Sequence, residues 1–305
     1  MNQKKSKKES QKNKTIAIII ISALAIFLIL SYSISKIDTS NIRTSSSANA
    51  LIININGEIT SQDQAGFFAA GLSSSAIVNQ IENAAKDRSV DAIIFQINSP
   101  GGTPVASHEI VRAVKEIEKP TVSVIRDTGA SGAYWVASAT DHIIADELSL
   151  TGSVGVLGAS LEFYELLERF NVSYRQLTGG EFKDIGSPLR PMTDIEEMMF
   201  KEKIDMMHDF FVRDVARNRK LSNEQIDEVK TGIFFIGLES KRVGLIDELG
   251  SLNHAKKYLE EKLEKEVNLV RRQQRQGFLE VFLGLVSNNL VSSLTPINTG
   301  GIFLK

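Results

Sequence analysis

The chain has 305 residues, of which 42% are hydrophobic and 24% are charged, so it can form one large globular domain or two small ones. The net charge is −2, and because the first 14 residues hold six lysines against Glu9, the remaining chain is acidic, which argues against a nucleic-acid-binding surface. The chain contains no cysteine, which excludes disulfides, thiolate nucleophiles and cysteine-based metal sites, and we predict no cofactor.

A long uncharged stretch follows the lysine-rich start. Residues 15–35 would span roughly 30 Å of hydrocarbon as a helix, and they exceed the apolar core of a cleavable signal peptide. We therefore predict an uncleaved transmembrane anchor at 15–35. Since positive residues stay inside, the basic segment 1–14 is expected in the cytoplasm and the rest of the chain outside it. The predicted location is the inner cell membrane, with a single pass and contact with the lipid bilayer.

A polar, serine-rich linker at 36–49 precedes a domain predicted over 50–270. Its hydrophobic pattern predicts strands at 50–56, 90–97, 121–127, 142–145, 154–158 and 172–177. Helices are predicted at 75–88, 105–118, after Ser131, at 162–170 and at 193–219, the last beginning with a capping box of Thr193 and Glu196. Strands joined by helices of this length indicate an α/β fold with a parallel sheet covered on both faces.

The tail at 271–305 is apolar and nearly uncharged over much of its length. We interpret it as a helix that packs on the domain or on a neighbouring subunit. A second membrane contact and insertion into a substrate groove are the alternatives. In the second case, the final "GGIFLK" would act as a self-substrate or a plug.

Ser131 lies in a glycine-rich turn between a predicted buried strand and a predicted helix. The free N–H groups at such a turn would stabilise an oxyanion formed by attack on a carbonyl, with Gly132 as one donor. The preceding "SPGG" turn closes the neighbouring strand, so Gly101 or Gly102 would supply the second donor. The alternative is that both loops are only tight turns and that Ser131 only caps the helix.

A serine nucleophile needs a base. None of the four histidines lies in a glycine-rich loop, and Ala133 breaks the G-x-S-x-G pattern of a Ser-His-Asp enzyme. These histidines are His108, His142, His208 and His254. Lysine is the remaining common base, and Lys183 differs from the other lysines because it follows a predicted strand in a glycine-flanked loop. Burial would favour its neutral amine, and Ser153, in a similar glycine turn, offers a hydroxyl to orient it.

At these motifs the sequence resembles the signal peptide peptidase A family of membrane-anchored serine proteases. The resemblance covers about residues 50–270 and includes "INSPGG" (97–102), "GASGAYWVAS" (129–138), "TGSVGV" (151–156), "GGEFKD" (179–184) and "GLIDELG" (244–250). It implies that Ser131 is the nucleophile, Lys183 the general base, Ser153 the residue that orients the lysine, and Gly102 and Gly132 the oxyanion hole.

The same resemblance implies a crotonase/Clp-protease-like fold after a single N-terminal transmembrane helix, with no cofactor. It also implies a homo-oligomeric ring in which neighbouring subunits share each active site, and peptide substrates such as cleaved signal peptides and other apolar segments. Ala133 departs from the glycine that the family commonly has at this position, which would trim the pocket without removing a catalytic group.

Two other functions remain open from the sequence. Acyl-CoA hydration or hydrolysis uses similar oxyanion N–H groups but needs neither a Ser-Lys pair nor an anchor. A catalytically silent membrane scaffold would not need Ser131 and Lys183, which are both present.

Overall fold

The computed structural model of the protein describes residues 47–61 and 71–271. The basic segment 1–14, the anchor predicted at 15–35, most of the linker and the tail from 272 lie outside the described residues. None of the helices in the two described ranges combines the length and the hydropathy that a bilayer crossing requires.

The first part of the described chain alternates strands with helices. Its elements are β1 (Ala48–Asn56), β2 (Glu58–Thr60), β3 (Gly71–Ser73), α1 (Ser74–Lys86), β4 (Ala92–Ser99), α2 (Pro104–Lys115), β5 (Thr121–Ala130) and α3 (Gly132–Ser138). β1 begins at Ala48, so this strand includes the last two residues of the predicted linker.

The second part contains shorter strands and one long helix. Its elements are β6 (His142–Ala145), β7 (Leu150–Gly152), α4 (Tyr164–Arg169), α5 (Asp194–Arg219), α6 (Asn223–Val229), β8 (Phe234–Ile236), α7 (Gly237–Val243), β9 (Glu248–Leu249), α8 (Leu252–Leu263) and β10 (Val267–Arg271). The capping box predicted at the start of α5 is confirmed, because Thr193 and Glu196 bond to each other's backbone N–H groups.

The main sheet has the strand order β10-β1-β4-β5-β6-β9, and every pair along this path is parallel. Alternate residues of β4 enter two different cores: Ile93 and Phe95 pack with α1 and α2, whereas Ile94 packs with α8. Both faces of the sheet are therefore covered, as the near-continuous apolar runs predict. The predicted α/β class is confirmed, and the architecture fits a Clp-protease-like fold.

β5 is long enough to pair with two different strands on the same side. Its first half pairs with β6, and its end pairs with β7, so that Ala130 lies opposite Gly152. β7 also pairs antiparallel with β8. This arrangement brings Ser131 and Ser153, which directly follow β5 and β7, to the same edge of the sheet.

Two predicted strands are wrong. Residues 154–158 form no strand, because β7 ends at Gly152 and the backbone turns at Ser153, where φ is 50°. Residues 172–177 also form no strand: Val172 and Tyr174 are exposed, and Leu177 is 89% exposed. A β pattern needs a neighbouring strand to bond its backbone, and within the described ranges this segment has none.

Candidate active site

Ser131 occupies the turn between β5 and α3. Its backbone has φ 52° and ψ −127°, a region that residues with a side chain rarely adopt. Its N–H donates to the C=O of Gly152 at 2.8 Å, which fixes the turn to the end of β7. Within the described part of the chain, the Ser131 hydroxyl makes no capping hydrogen bond. Ser131 therefore occupies the N-cap position of α3, but its hydroxyl does not cap the helix.

Two backbone N–H groups lie beside this serine. The nitrogen of Gly102 is 3.4 Å from the position that a Cβ atom would take on Gly132, and the nitrogen of Gly132 is 2.8 Å from the corresponding position on Gly101. Gly132 is the first residue of α3, so its N–H has no partner inside the helix. The "SPGG" turn and the serine turn thus meet, as the sequence predicts.

The backbone hydrogen bonds favour Gly102 over Gly101 as the candidate for the second donor. The Gly101 N–H donates to Ser99 Oγ at 3.2 Å. Gly102 forms a parallel bridge with Ile59, in which Ile59 N–H bonds to Gly101 C=O and Thr103 N–H bonds to Ile59 C=O. In such a bridge the N–H of the central residue points away from its partner, so the Gly102 N–H is the one left for a ligand.

Glycine is required at both donor positions because the surrounding atoms leave no room for a side chain. A Cβ on Gly102 would lie 1.9 Å from the C=O oxygen of Ile59. A Cβ on Gly132 would lie 2.1 Å from Ser107 Oγ. A side chain at either position would therefore displace one of these neighbours.

Ser153 lies next to Ser131 at the sheet edge, and both residues line the same cavity. Its N–H donates to Ile233 C=O at 2.9 Å. Lys183 is placed differently: its side chain is exposed, and it is not among the described residues that line this cavity. The structure thus brings together Ser131, Ser153 and the two glycines, and it leaves Lys183 elsewhere on the same chain.

An ion cluster fixes the loop that carries Lys183. Arg190 donates to Asp184 at 2.6 Å and to Glu196 at 2.8 Å, and Glu196 belongs to the capping box of α5. The Arg190 hydrogen bonds lower the pKa of Glu196 to about 2 and lower that of Asp184. The residue after Lys183 is therefore tied to the start of the long helix.

The cavity beside Ser131 has a volume of about 1270 Å³ and is bounded by α5, the two glycine turns and the segment after β7. Its wall is mainly apolar and includes Val156, Leu157, Ile204, Met207, Phe210 and Trp135. The Trp135 indole stacks on Phe211 and donates to Asp214 at 2.7 Å. This wall suits an apolar peptide better than a charged one.

Two of the four histidines line the cavity, which the sequence pattern did not indicate. His108 stacks on Trp135 with ring centroids 5.1 Å apart, and burial, reinforced by Arg112, lowers its pKa. His208 lies 3.1 Å from the C=O of Val154 through Nε2. His142 stacks instead on Tyr258 and lies 3.4 Å from Glu248, while His254 accepts from the Ser251 N–H.

Comparison with known proteins gives a family and several relatives. The sequence model of a protein family described as peptidase family S49 matches residues 113–268. "Putative protease MJ0651" of Methanocaldococcus jannaschii is 36% identical over 186 residues, which are 60% of this chain and 60% of that protein. "Putative signal peptide peptidase SppA" of Enterococcus faecium is 28% identical over 240 residues, 76% of this chain and 69% of that protein.

"Protease 4" of Haemophilus influenzae is 32% identical over 211 residues, which are 67% of this chain. The match spans only 33% of that longer protein. The chain therefore covers less than two thirds of the Methanocaldococcus and Haemophilus relatives.

Proposed function

Because this chain belongs to peptidase family S49, we propose that it is a serine endopeptidase with Ser131 as its nucleophile. Ser131 Oγ attacks the peptide carbonyl and gives its proton to a base, while the Gly102 and Gly132 N–H groups hold the new oxyanion. The C–N bond then breaks, and the protonated base gives its proton to the leaving amine. In the second half of the reaction the same base takes a proton from water, which attacks the acyl carbonyl. The bond to Ser131 Oγ then breaks, and the protonated base gives its proton to that oxygen.

One observation carries this proposal. The Ser131 side chain is held in a strained turn without capping α3, beside two glycine N–H groups and at the edge of a large apolar cavity. A serine with an ordinary structural role would need neither the strain nor the close approach of two glycines. The arrangement is the one that attack on a carbonyl requires.

We assign the general base to Lys183 of a neighbouring copy, with Ser153 orienting the amine. Two features support this assignment. Lys183 lies on an exposed loop outside the cavity, and the chain around it exposes many large apolar side chains that a second copy would cover. These side chains include Leu157, Leu161, Leu166, Phe170, Val172 and Leu177. Head-to-tail contacts of this kind form a ring when the rotation between copies closes, and we propose such a homo-oligomeric ring with shared sites.

The substrates we propose are cleaved signal peptides and other apolar peptides. The apolar cavity wall supports this choice, as does the printed name of the Enterococcus relative. The uncharged residues 15–35 would hold the enzyme in the inner cell membrane, with residues 1–14 in the cytoplasm and the peptidase domain outside it. Such an anchor would keep the enzyme near peptides that leave the bilayer.

The test is complementation between two inactive variants of the full chain. Ser131→Ala and Lys183→Ala are each expected to abolish hydrolysis of a fluorogenic apolar peptide, whereas Lys203→Ala, another exposed lysine, keeps wild-type activity. Ser131→Ala and Lys183→Ala are then co-expressed in equal amounts. A shared site works when the Lys183→Ala copy supplies Ser131 and the neighbouring Ser131→Ala copy supplies Lys183. Random assembly then restores about a quarter of wild-type activity.

Each alternative gives a different result. Lack of any recovery on co-expression would show that serine and base come from one chain. Full activity of Lys183→Ala alone would contradict the assignment of the base and direct attention to His208, which lies in the same cavity as Ser131. Full activity of Ser131→Ala would refute the nucleophile and with it the proposed function.

A further inference from the structure

Ser107 on α2 is a buried hydroxyl without a hydrogen-bond partner. The residue is 0% exposed, and its Oγ is the only buried side-chain oxygen or nitrogen without a partner in the part of the chain that the structure describes. A serine in a helix commonly bonds to the C=O four residues earlier. Here the Ser107 N–H bonds to that C=O, of Thr103, at 3.0 Å, and the hydroxyl does not.

A buried polar group without a partner costs free energy, so an orphan hydroxyl calls for a physical explanation. Its place in the molecule supplies one. Ser107 Oγ lies 2.1 Å from the position of a Cβ on Gly132, and the Gly102 nitrogen lies 3.4 Å from that same position. The unpartnered oxygen thus lies beside Gly132 and close to Gly102, and Ser107 lines the same cavity as Ser131.

We propose that the Ser107 hydroxyl is a third group that stabilises the oxyanion at this site, an inference that rests on the proposed function. Because the Ser107 hydroxyl has no competing acceptor, its O–H dipole is free to turn toward the negative oxygen that forms between Gly102 and Gly132. In the resting enzyme this O–H dipole has no partner, whereas in the transition state the oxyanion is its partner. Interactions that exist only in the transition state raise the rate without tightening substrate binding.

The experiment compares Ser107→Ala with Ser138→Ala in the full chain. Ser138 is also a buried serine, but its hydroxyl donates to Trp135 C=O at 2.7 Å and accepts from Asn218 at 3.0 Å. We expect Ser107→Ala to lower kcat about tenfold, less than the 10²–10³ typical of a direct donor, with KM within about twofold of wild type. Its melting temperature is expected to equal or exceed that of wild type. Ser138→Ala is expected to show the reverse: a lower melting temperature and an unchanged kcat.

A second readout separates the transition state from the ground state. The affinity of a peptide boronate, which forms a tetrahedral adduct on Ser131, is expected to fall about tenfold in Ser107→Ala. The affinity of an intact peptide, measured on inactive Ser131→Ala, is expected not to change when Ser107→Ala is added.

An unchanged kcat in Ser107→Ala, or a lower melting temperature with unchanged boronate affinity, would overturn the inference and leave the peptidase intact. A wild-type enzyme without Ser131-dependent hydrolysis would overturn the proposed function, and this inference with it.

Discussion

Backbone strain at Ser131 gives a prediction that does not depend on any substrate. The residue has φ 52° and ψ −127°, where a Cβ atom is crowded by its own backbone. Such a conformation costs about 1–3 kcal/mol, and glycine avoids this cost because it has no Cβ. Glycine also loses about 0.4–1 kcal/mol through the greater freedom of the unfolded chain. Ser131→Gly is therefore expected to raise the free energy of unfolding by about 1 kcal/mol.

The matched control is Ser131→Ala, which removes the same hydroxyl but keeps the Cβ. Both variants lack the hydroxyl, so a difference in their stability reports the Cβ atom and the backbone strain that it causes. For a domain of this size, 1 kcal/mol corresponds to about 2–4 °C in melting temperature. Calorimetry should find Ser131→Gly more stable than Ser131→Ala by that amount. Equal melting temperatures, or a less stable glycine variant, would refute the idea that the fold holds strain at its nucleophile.

Three further predictions follow from the site and its supports. Gly132→Ala should abolish hydrolysis, and it should lower the free energy of unfolding by about 1–3 kcal/mol because the new methyl group overpacks against Ser107. The control is Gly179→Ala, whose Cβ would meet nothing within 4 Å and which should melt at the wild-type temperature. Asp214→Ala should cost about 1–3 kcal/mol and shift the fluorescence of Trp135, the chain's one tryptophan, because the indole N–H loses its buried acceptor; unchanged emission would contradict this. Arg190 holds the pKa of Glu196 in the folded protein at about 2, below its ordinary value of 4.5. The resulting stabilisation is complete above pH 4.5 and is lost as the pH falls between those values, so Arg190→Gln should lower the free energy of unfolding most above pH 4.5. The gap in melting temperature between wild type and Arg190→Gln should therefore shrink on acidification, and a constant gap would count against the ion cluster.

The sequence predicted the site correctly where residues adjacent in the chain determine the local backbone geometry. The glycine pattern predicted that Ser131 and Ser153 each lie in a tight turn, and both do. That the two turns lie at the same sheet edge follows from the pairing of β5 with β7, a strand that the sequence did not predict. The choice between Gly101 and Gly102 was different. It depends on the bridge to Ile59, a contact between segments distant in the chain that no local pattern reveals.

Periodicity alone failed where an element has no partner within the described chain. Residues 172–177 have the side chains of a strand, but a strand exists only when another backbone bonds to it. The apolar spacing of 193–219 predicted α5 correctly, yet only part of that apolar face enters the core: Phe211 and Val215 are buried, while Ile195 and Met198 are exposed. The same pattern could not show that His208 lines the cavity, because the side that α5 turns toward Ser131 is set by tertiary packing.

These failures concern the same half of the chain that carries Lys183, and under the proposed function they have one explanation. The oxyanion site and nucleophile are built from buried strands and close glycine contacts, so one chain preorganises them completely. The base lies among exposed apolar side chains, which gain their packing partners only from another copy. A lone subunit would then hold a strained serine without a base, and it would cleave nothing. Assembly, by covering the apolar surface and delivering the lysine together, would confine proteolysis to the ring.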